Sequence, residues 1–204
     1  MKKKLGLFIG RFQPFHNGHL SAIRQAIQHV DLLHIGIGSA QYSHTKENPF
    51  SAQERKEMIH SSLLQSGITE DQFDMTFIPD INDFPAWPAH VRALTGDFEI
   101  LFTGSDIVRE LFEKHDHVKI ITPKIELSLS ATQIRTKIKT DDDWKKEVPL
   151  GTKEVIQKIN GVKRIKEIFN PPAPHLSRGF GNDITKIPLP VPSVAAGTRE
   201  MSGG

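Results

Sequence analysis

The chain contains no cysteine among its 204 residues and no long apolar run. The first absence excludes a disulfide framework and agrees with a reducing cytoplasm, where the protein is expected to act. It also removes the thiolates on which many zinc sites are built. The second excludes a membrane span of ordinary length. No apolar stretch with a small-residue cleavage site marks the N-terminus for secretion, and Lys2, Lys3 and Lys4 read as a solvated end. An excess of either charge is missing too. Lys and Arg number 26 against 24 Asp and Glu, a formal net charge of +2. That balance gives no electrostatic case for nucleic acid or a membrane surface as a partner. No internal repeat is visible.

What remains is enough for one soluble domain with a substantial core: 37% of residues are hydrophobic and 25% charged. Strand-like runs at 5–9, 32–37, 74–78, 98–102 and 118–121 alternate with helical patterns. Ser51 and Glu54 have capping-box spacing before one helix. Pro88 suits the start of another over about 87–94, and Ser130 caps a third that runs to about Lys139. The alternation predicts an α/β fold, a Rossmann-like parallel sheet with helices on both faces and a small helical part over about 141–169. Such sheets bind ligands at the carboxyl ends of their strands, where the turns at Gly10, Gly38 and Gly104 fall. A domain over 1–169 is expected. Beyond it, six of the thirteen prolines lie within 171–192 and the end is rich in Gly and Ser, so 170–204 reads as a flexible tail.

The most informative segment is Gly10-Arg11-Phe12-Gln13-Pro14-Phe15-His16-Asn17-Gly18-His19. It follows an apolar strand and precedes Leu20, Ile23, Ile27 and Val30, which recur at helical spacing. A helix N-terminus presents unpaired N–H groups and a partial positive charge, which together make an anion site. His16 and His19 flank Gly18 and can face one bound group. Read alone, two such histidines are about as readily plain caps or surface residues as groups that face a bound phosphate. Placed after a strand, at a helix start and below Arg11, they point to a polyphosphate. A zinc pair is disfavoured, since no third ligand lies at a recognisable spacing.

This turn resembles the His-x-Gly-His signature of the nucleotidyltransferase superfamily, and the longer string resembles the archaeal-type nicotinamide-nucleotide adenylyltransferases. The likeness continues through Gly38-Ser39-Ala40-Gln41, then Asn48-Pro49-Phe50-Ser51-Ala52-Gln53-Glu54-Arg55, then Trp87 and His90, then Ser130-Ala131-Thr132-Gln133-Ile134-Arg135, and Asn160-Gly161-Val162-Lys163-Arg164-Ile165. Several motifs in one order over roughly residues 4 to 169 are far more specific than any one alone.

The resemblance implies transfer of the adenylyl group of ATP to the phosphate of nicotinamide mononucleotide, giving NAD and pyrophosphate. Magnesium would accompany the ATP, and a homo-oligomer is expected. His16, His19 and Arg135 are the implied catalytic residues, the histidines near the α-phosphate and Arg135 toward the β- and γ-phosphates. Gly10, Arg11, Phe12 and Gln13 complete the ATP side with Ser130 and Thr132, while Gly104 and Asp106 border the adenosine. Ser39, Gln41 and Asp80 border the mononucleotide, Trp87 stacks on the cationic nicotinamide ring, and Lys46 and Arg55 reach a substrate phosphate. Blander readings stand beside these: Ser130 and Asp106 as plain helix caps, Trp87 as a core residue, Arg55 in a surface pair with Glu54 or Glu57. Two positions depart from the family pattern. Lys46-Glu47 stands where an Arg is common, and Phe84 where a polar residue is common. The competing functions are transfer to another phosphate such as nicotinate mononucleotide, and a nucleotide-sensing module without turnover.

Overall fold

The structure is a computed structural model, and it describes residues 3–116, 118–124 and 129–171. The 170–204 tail lies almost wholly outside the described residues. Strand β1 (Leu5–Gly10) leads through the signature turn into α1 (Asn17–Ala26). Then follow β2 (Leu32–Gly38), α2 (Ala52–Gln65), a short 3-10 turn, β3 (Phe73–Ile78) and α3 (Trp87–Thr95). Strand β4 (Ile100–Phe102), α4 (Asp106–His115), β5 (Lys119–Ile121) and α5 (Ala131–Thr140) complete the α/β part. Two further helices, α6 (Leu150–Lys158) and α7 (Gly161–Phe169), form the expected small C-terminal part.

All five strands are parallel and lie in the order β3-β2-β1-β4-β5. The chain builds outward from β1 on one side and then restarts beside it with β4. The crevice above that reversal, outside the carboxyl ends of β1 and β4, is where such sheets hold ligands. Strand alternation gives β1 two buried faces. Phe8 joins a core with Ile23, Ile35, Met58, Ile134 and Ile156, beneath α1, α2 and α5–α7. Leu7 and Ile9 join another with Ile78, Val91 and Phe112, beneath α3 and α4. Helix α6 sits directly on α2, and α7 packs against α5 and α6. A Cβ at Gly151 would come within 2.5 Å of the Ser62 backbone nitrogen, so only glycine permits this approach.

Two element ends differ from the sequence pattern by more than one residue. The helical spacing reaches Val30, yet α1 stops at Ala26. The Gln28 and His29 N–H groups donate to the carbonyls three residues back, Gln25 and Ala26, and this tightening ends the helix while Val30 still packs on the core. Strand β4 begins at Ile100, not at 98. The Glu99 N–H donates to the Leu5 carbonyl at 2.9 Å and the Glu99 carboxylate accepts from the Leu5 N–H at 2.6 Å, a side-chain bond in place of ladder pairing. Among the described residues no helix is long and apolar enough to cross a membrane.

Candidate active site

Helix α1 is capped by histidines. His16, extended at φ −141° and ψ 171°, is the N-cap. Its Nδ1 accepts from the His19 N–H, and His19 Nδ1 accepts from the His16 N–H, each at 3.3 Å. This is a capping box, with imidazoles in place of the usual hydroxyl and carboxyl groups. The rings stack at 3.6 Å between centroids, and Phe12 and Phe15 bracket His19 at 4.9 and 5.6 Å. Because each Nδ1 is an acceptor, each neutral ring carries its proton on Nε2. Burial pushes the His16 pKa down to about 4. Burial, and then the neighbouring His16, hold His19 well below the ordinary imidazole range. Both rings are therefore neutral N–H donors at pH 7.

The turn between β1 and the cap is held from both sides. Phe12 is left-handed at φ 53°. The buried Gln13 amide donates to the Phe50 carbonyl at 2.9 Å and accepts from the Phe50 N–H at 3.0 Å. Arg135 reaches back from α5 and donates through Nη1 to the Gln13 carbonyl at 2.8 Å and through Nη2 to Thr132 Oγ1 at 3.2 Å. Its buried Nε has no partner among the described residues. These parts surround a cleft of about 370 Å³ at the strand ends, which also takes in Gly10, Arg11, Gly104 and Ser130. The residues present fit a polyanion: neutral N–H donors, two guanidinium groups, one with an unpartnered donor, and the N-terminus of α5.

A second cavity of about 330 Å³ lies between the loop after β3 and helix α4. Its walls are Trp87, Phe84, Ile81, Ile107 and Leu111, with Asp80 at one end. The half-buried Trp87 meets Phe112 edge-on at 5.8 Å, leaving Phe84 and Ile107 about two-thirds exposed. Asp80 is pinned from the turn after β2: its Oδ2 accepts from Ser39 Oγ at 2.7 Å, and Gln41 brackets its backbone N–H and C=O at 3.0 and 2.8 Å.

Comparison with known proteins fixes the family. The cytidylyltransferase-like family profile matches residues 7–137. A nicotinamide-nucleotide adenylyltransferase of Thermococcus sibiricus is 43% identical over 162 residues, 79% of this chain and 87% of that protein. That of Thermococcus kodakarensis is 42% identical over 164 residues, 80% and 87% of the two chains. The chain belongs to the archaeal-type nicotinamide-nucleotide adenylyltransferases. Among solved structures, a bifunctional NMN adenylyltransferase/ADP ribose pyrophosphatase from Francisella tularensis, complexed with AMP and a manganese ion, shares the fold at a TM-score of 0.68 and 24% identity. The match covers 81% of this chain but only 52% of that one, so this chain spans about half the length of the bifunctional protein.

For an adenylyltransferase of this family, the structure brings most of the expected residues into two places. Gly10, Arg11, Phe12, Gln13, His16, His19, Gly104, Ser130, Thr132 and Arg135 all line the first cleft. The side chains of Phe12 and Gln13 are committed to the protein, however, which narrows their role to shaping the turn. Ser130 is also the N-cap of α5, with Oγ accepting from the Gln133 N–H at 3.2 Å. Asp106 lies outside the lining of both cavities, and Ser105, not Asp106, caps α4. Lys46 is exposed and lines neither cavity.

Arg55 is the clear correction. It is wholly buried and donates only to backbone carbonyls, so it neither reaches a substrate phosphate nor forms a surface pair. Glu54 pairs instead with Arg164 of α7, and Glu57 with Lys158 of α6, each at 2.7 Å. Burial alone would raise the Glu54 carboxyl, but bonds from Arg164 and Ser51 outweigh it and leave its pKa lowered. Sequence reasoning missed the Gln13–Phe50 clamp and the apolar wall of Ile107 and Leu111, which no local spacing announces.

Proposed function

We propose that the two cavities divide the two substrates of the adenylyl transfer, with the triphosphate of ATP in the His16–Arg135 cleft and the nicotinamide riboside portion against Trp87. One observation carries this reading. The cleft gathers two imidazoles whose Nε2–H donors are set by the cap, together with a buried Arg135 Nε that lacks a partner. The mononucleotide phosphate is already ionised at neutral pH, so no general base has to create the nucleophile. Its oxygen forms a bond to the α-phosphorus of ATP, the bond from that phosphorus to the β-phosphate oxygen breaks, and the electron pair leaves with pyrophosphate. The task is to bring two anions into line and to offset charge on the transferring group. His16 and His19 donate to the α-phosphate oxygens, and Arg135 and Arg11 hold the leaving pyrophosphate. Magnesium enters with ATP. Phosphate oxygens and water would be its ligands. We place the enzyme in the cytoplasm, with the lack of cysteine in support, and as a homo-oligomer.

The test is pyrophosphate release by the purified protein with magnesium and ATP, using nicotinamide mononucleotide and nicotinate mononucleotide in parallel. NAD formation with the amide is expected. Release with another phosphate acceptor but not with the amide would overturn the acceptor assignment. No release with any acceptor would favour a nucleotide-binding module.

A further inference from the structure

We propose that Arg55 is the positioning residue that holds the ATP side and the mononucleotide side of the site in register, so that its loss costs the transfer step more than it costs binding of either substrate. The proposal rests on the division of substrates between the two cavities given above.

Arg55 lies in the first turn of α2, and its side chain is completely buried. Its Nη1 donates to the Arg11 carbonyl and to the Gly38 carbonyl, both at 2.7 Å. Its Nη2 donates to the Ser39 carbonyl at 3.2 Å and its Nε to the Ser51 carbonyl at 3.3 Å. One planar group therefore joins the exit of β1, the exit of β2 and the start of α2. It has no carboxylate partner among the described residues; burial lowers its pKa to about 10, with Arg11 adding to the effect and Asp80 opposing it, so it stays charged at pH 7. A buried cation held by carbonyls alone is costly to keep, which argues for a task beyond filling space.

The acceptors show what that task is. Arg11 lines the triphosphate cleft. Ser39 holds the carboxylate of Asp80, at the end of the second cavity. Each of these two strand exits also holds a left-handed residue, Phe12 at φ 53° and Ser39 at φ 50°. Arg55 bonds the carbonyl that precedes Phe12 and those of Gly38 and Ser39, so it fixes both turns against one another. In-line attack needs the reacting phosphates at a set separation, and a shift of about 1 Å can cost on the order of 100-fold in rate. A lysine keeps the charge but has no planar fork to span carbonyls from three segments.

The experiment compares Arg55→Lys and Arg55→Met with the unaltered enzyme. NAD formation by the unaltered enzyme tests the division of substrates independently; the variants test the lock. For the Lys variant we expect a cooperative melt, calorimetric affinities for ATP alone and for nicotinamide mononucleotide alone within about threefold of the parent, and a kcat lowered on the order of 100-fold. A kcat within about threefold of the parent, or a loss of affinity that matches the loss of kcat, would overturn the proposal. Should neither variant fold, the unaltered protein decides. The Arg55 Nε–H should give a solvent-protected NMR resonance that shifts on adding ATP alone and again on adding the mononucleotide alone. A response to only one ligand, or to neither, overturns it.

Discussion

A histidine is an uncommon helix cap, because serine, threonine and aspartate offer a shorter reach to the first-turn N–H groups. At His16 and His19 the cap settles the chemistry: Nδ1 is occupied by backbone, and Nε2–H is the donor left over. His19→Ala removes one donor and half of the reciprocal cap. We expect kcat to fall on the order of 100-fold with about 1 kcal/mol lost in stability, read from turnover and from denaturant unfolding; near-normal turnover would reduce His19 to a cap. His16 makes a pH prediction. An unfolded chain takes up its proton near the ordinary value of 6.5, whereas the folded ring stays neutral until about 4. Between those values the unfolded state binds more protons, so stability falls as the pH drops from 6.5 toward 4, by up to about 1.4 kcal/mol per pH unit from this group. His16→Asn keeps a good N-cap and removes the titration, so its unfolding free energy should depend less steeply on pH across that window. An unchanged slope would show that His16 does not titrate as its burial implies. The placement of the two histidines at a strand-to-helix turn was legible in the sequence. Capping was one reading it left open; the reciprocal bonds through both Nδ1 atoms were not legible, because the residue type does not advertise them. The role of Arg55 was hidden more deeply, since three of its acceptors lie 16 to 44 residues away.

At the level of elements, local chemistry was read well where the partners are close in sequence. Ser51 and Glu54 form the capping box that their spacing predicts, Pro88 opens α3, and Ser130 caps α5. Where an element's boundary depends on its neighbours, the pattern failed. Strand β4 is short because the Glu99 side chain replaces ladder pairing, and α1 stops before its last apolar position. Helices α3 and α4 face each other across the second cavity, and neither shows in its own sequence that Trp87 on one and Ile107 and Leu111 on the other share a wall. That wall gives a selective prediction. A cationic ring stacked on Trp87 gains about 0.5–2 kcal/mol and touches no part of the triphosphate cleft. Trp87→Ala should therefore raise the KM for nicotinamide mononucleotide several-fold while the KM for ATP changes little. An equal rise for both would mark Trp87 as a strut on Phe112, which it also meets.

For the whole molecule, the alternation of strands and helices was enough to predict a parallel sheet, and the observed order puts the reversal between β1 and β4, under the cleft. The described chain closes on itself before residue 171. Helix α7 is fastened to the start of α2 by Arg164, which donates to Glu54 at 2.7 Å and to the Pro49 carbonyl at 3.3 Å. Ile165 is wholly buried in the main core. The residues lining the two cavities fall between Phe8 and Arg135. The segment rich in Pro and Gly offers little apolar surface to offset the entropy of ordering it. A chain ending at Asn170 should keep the melting temperature, kcat and both KM values of the full-length protein. Sedimentation of the two proteins side by side supplies the check on assembly. If the shorter chain sediments as a smaller oligomer and loses turnover with it, the segment belongs to a contact between copies, and the site of one copy depends on its neighbour.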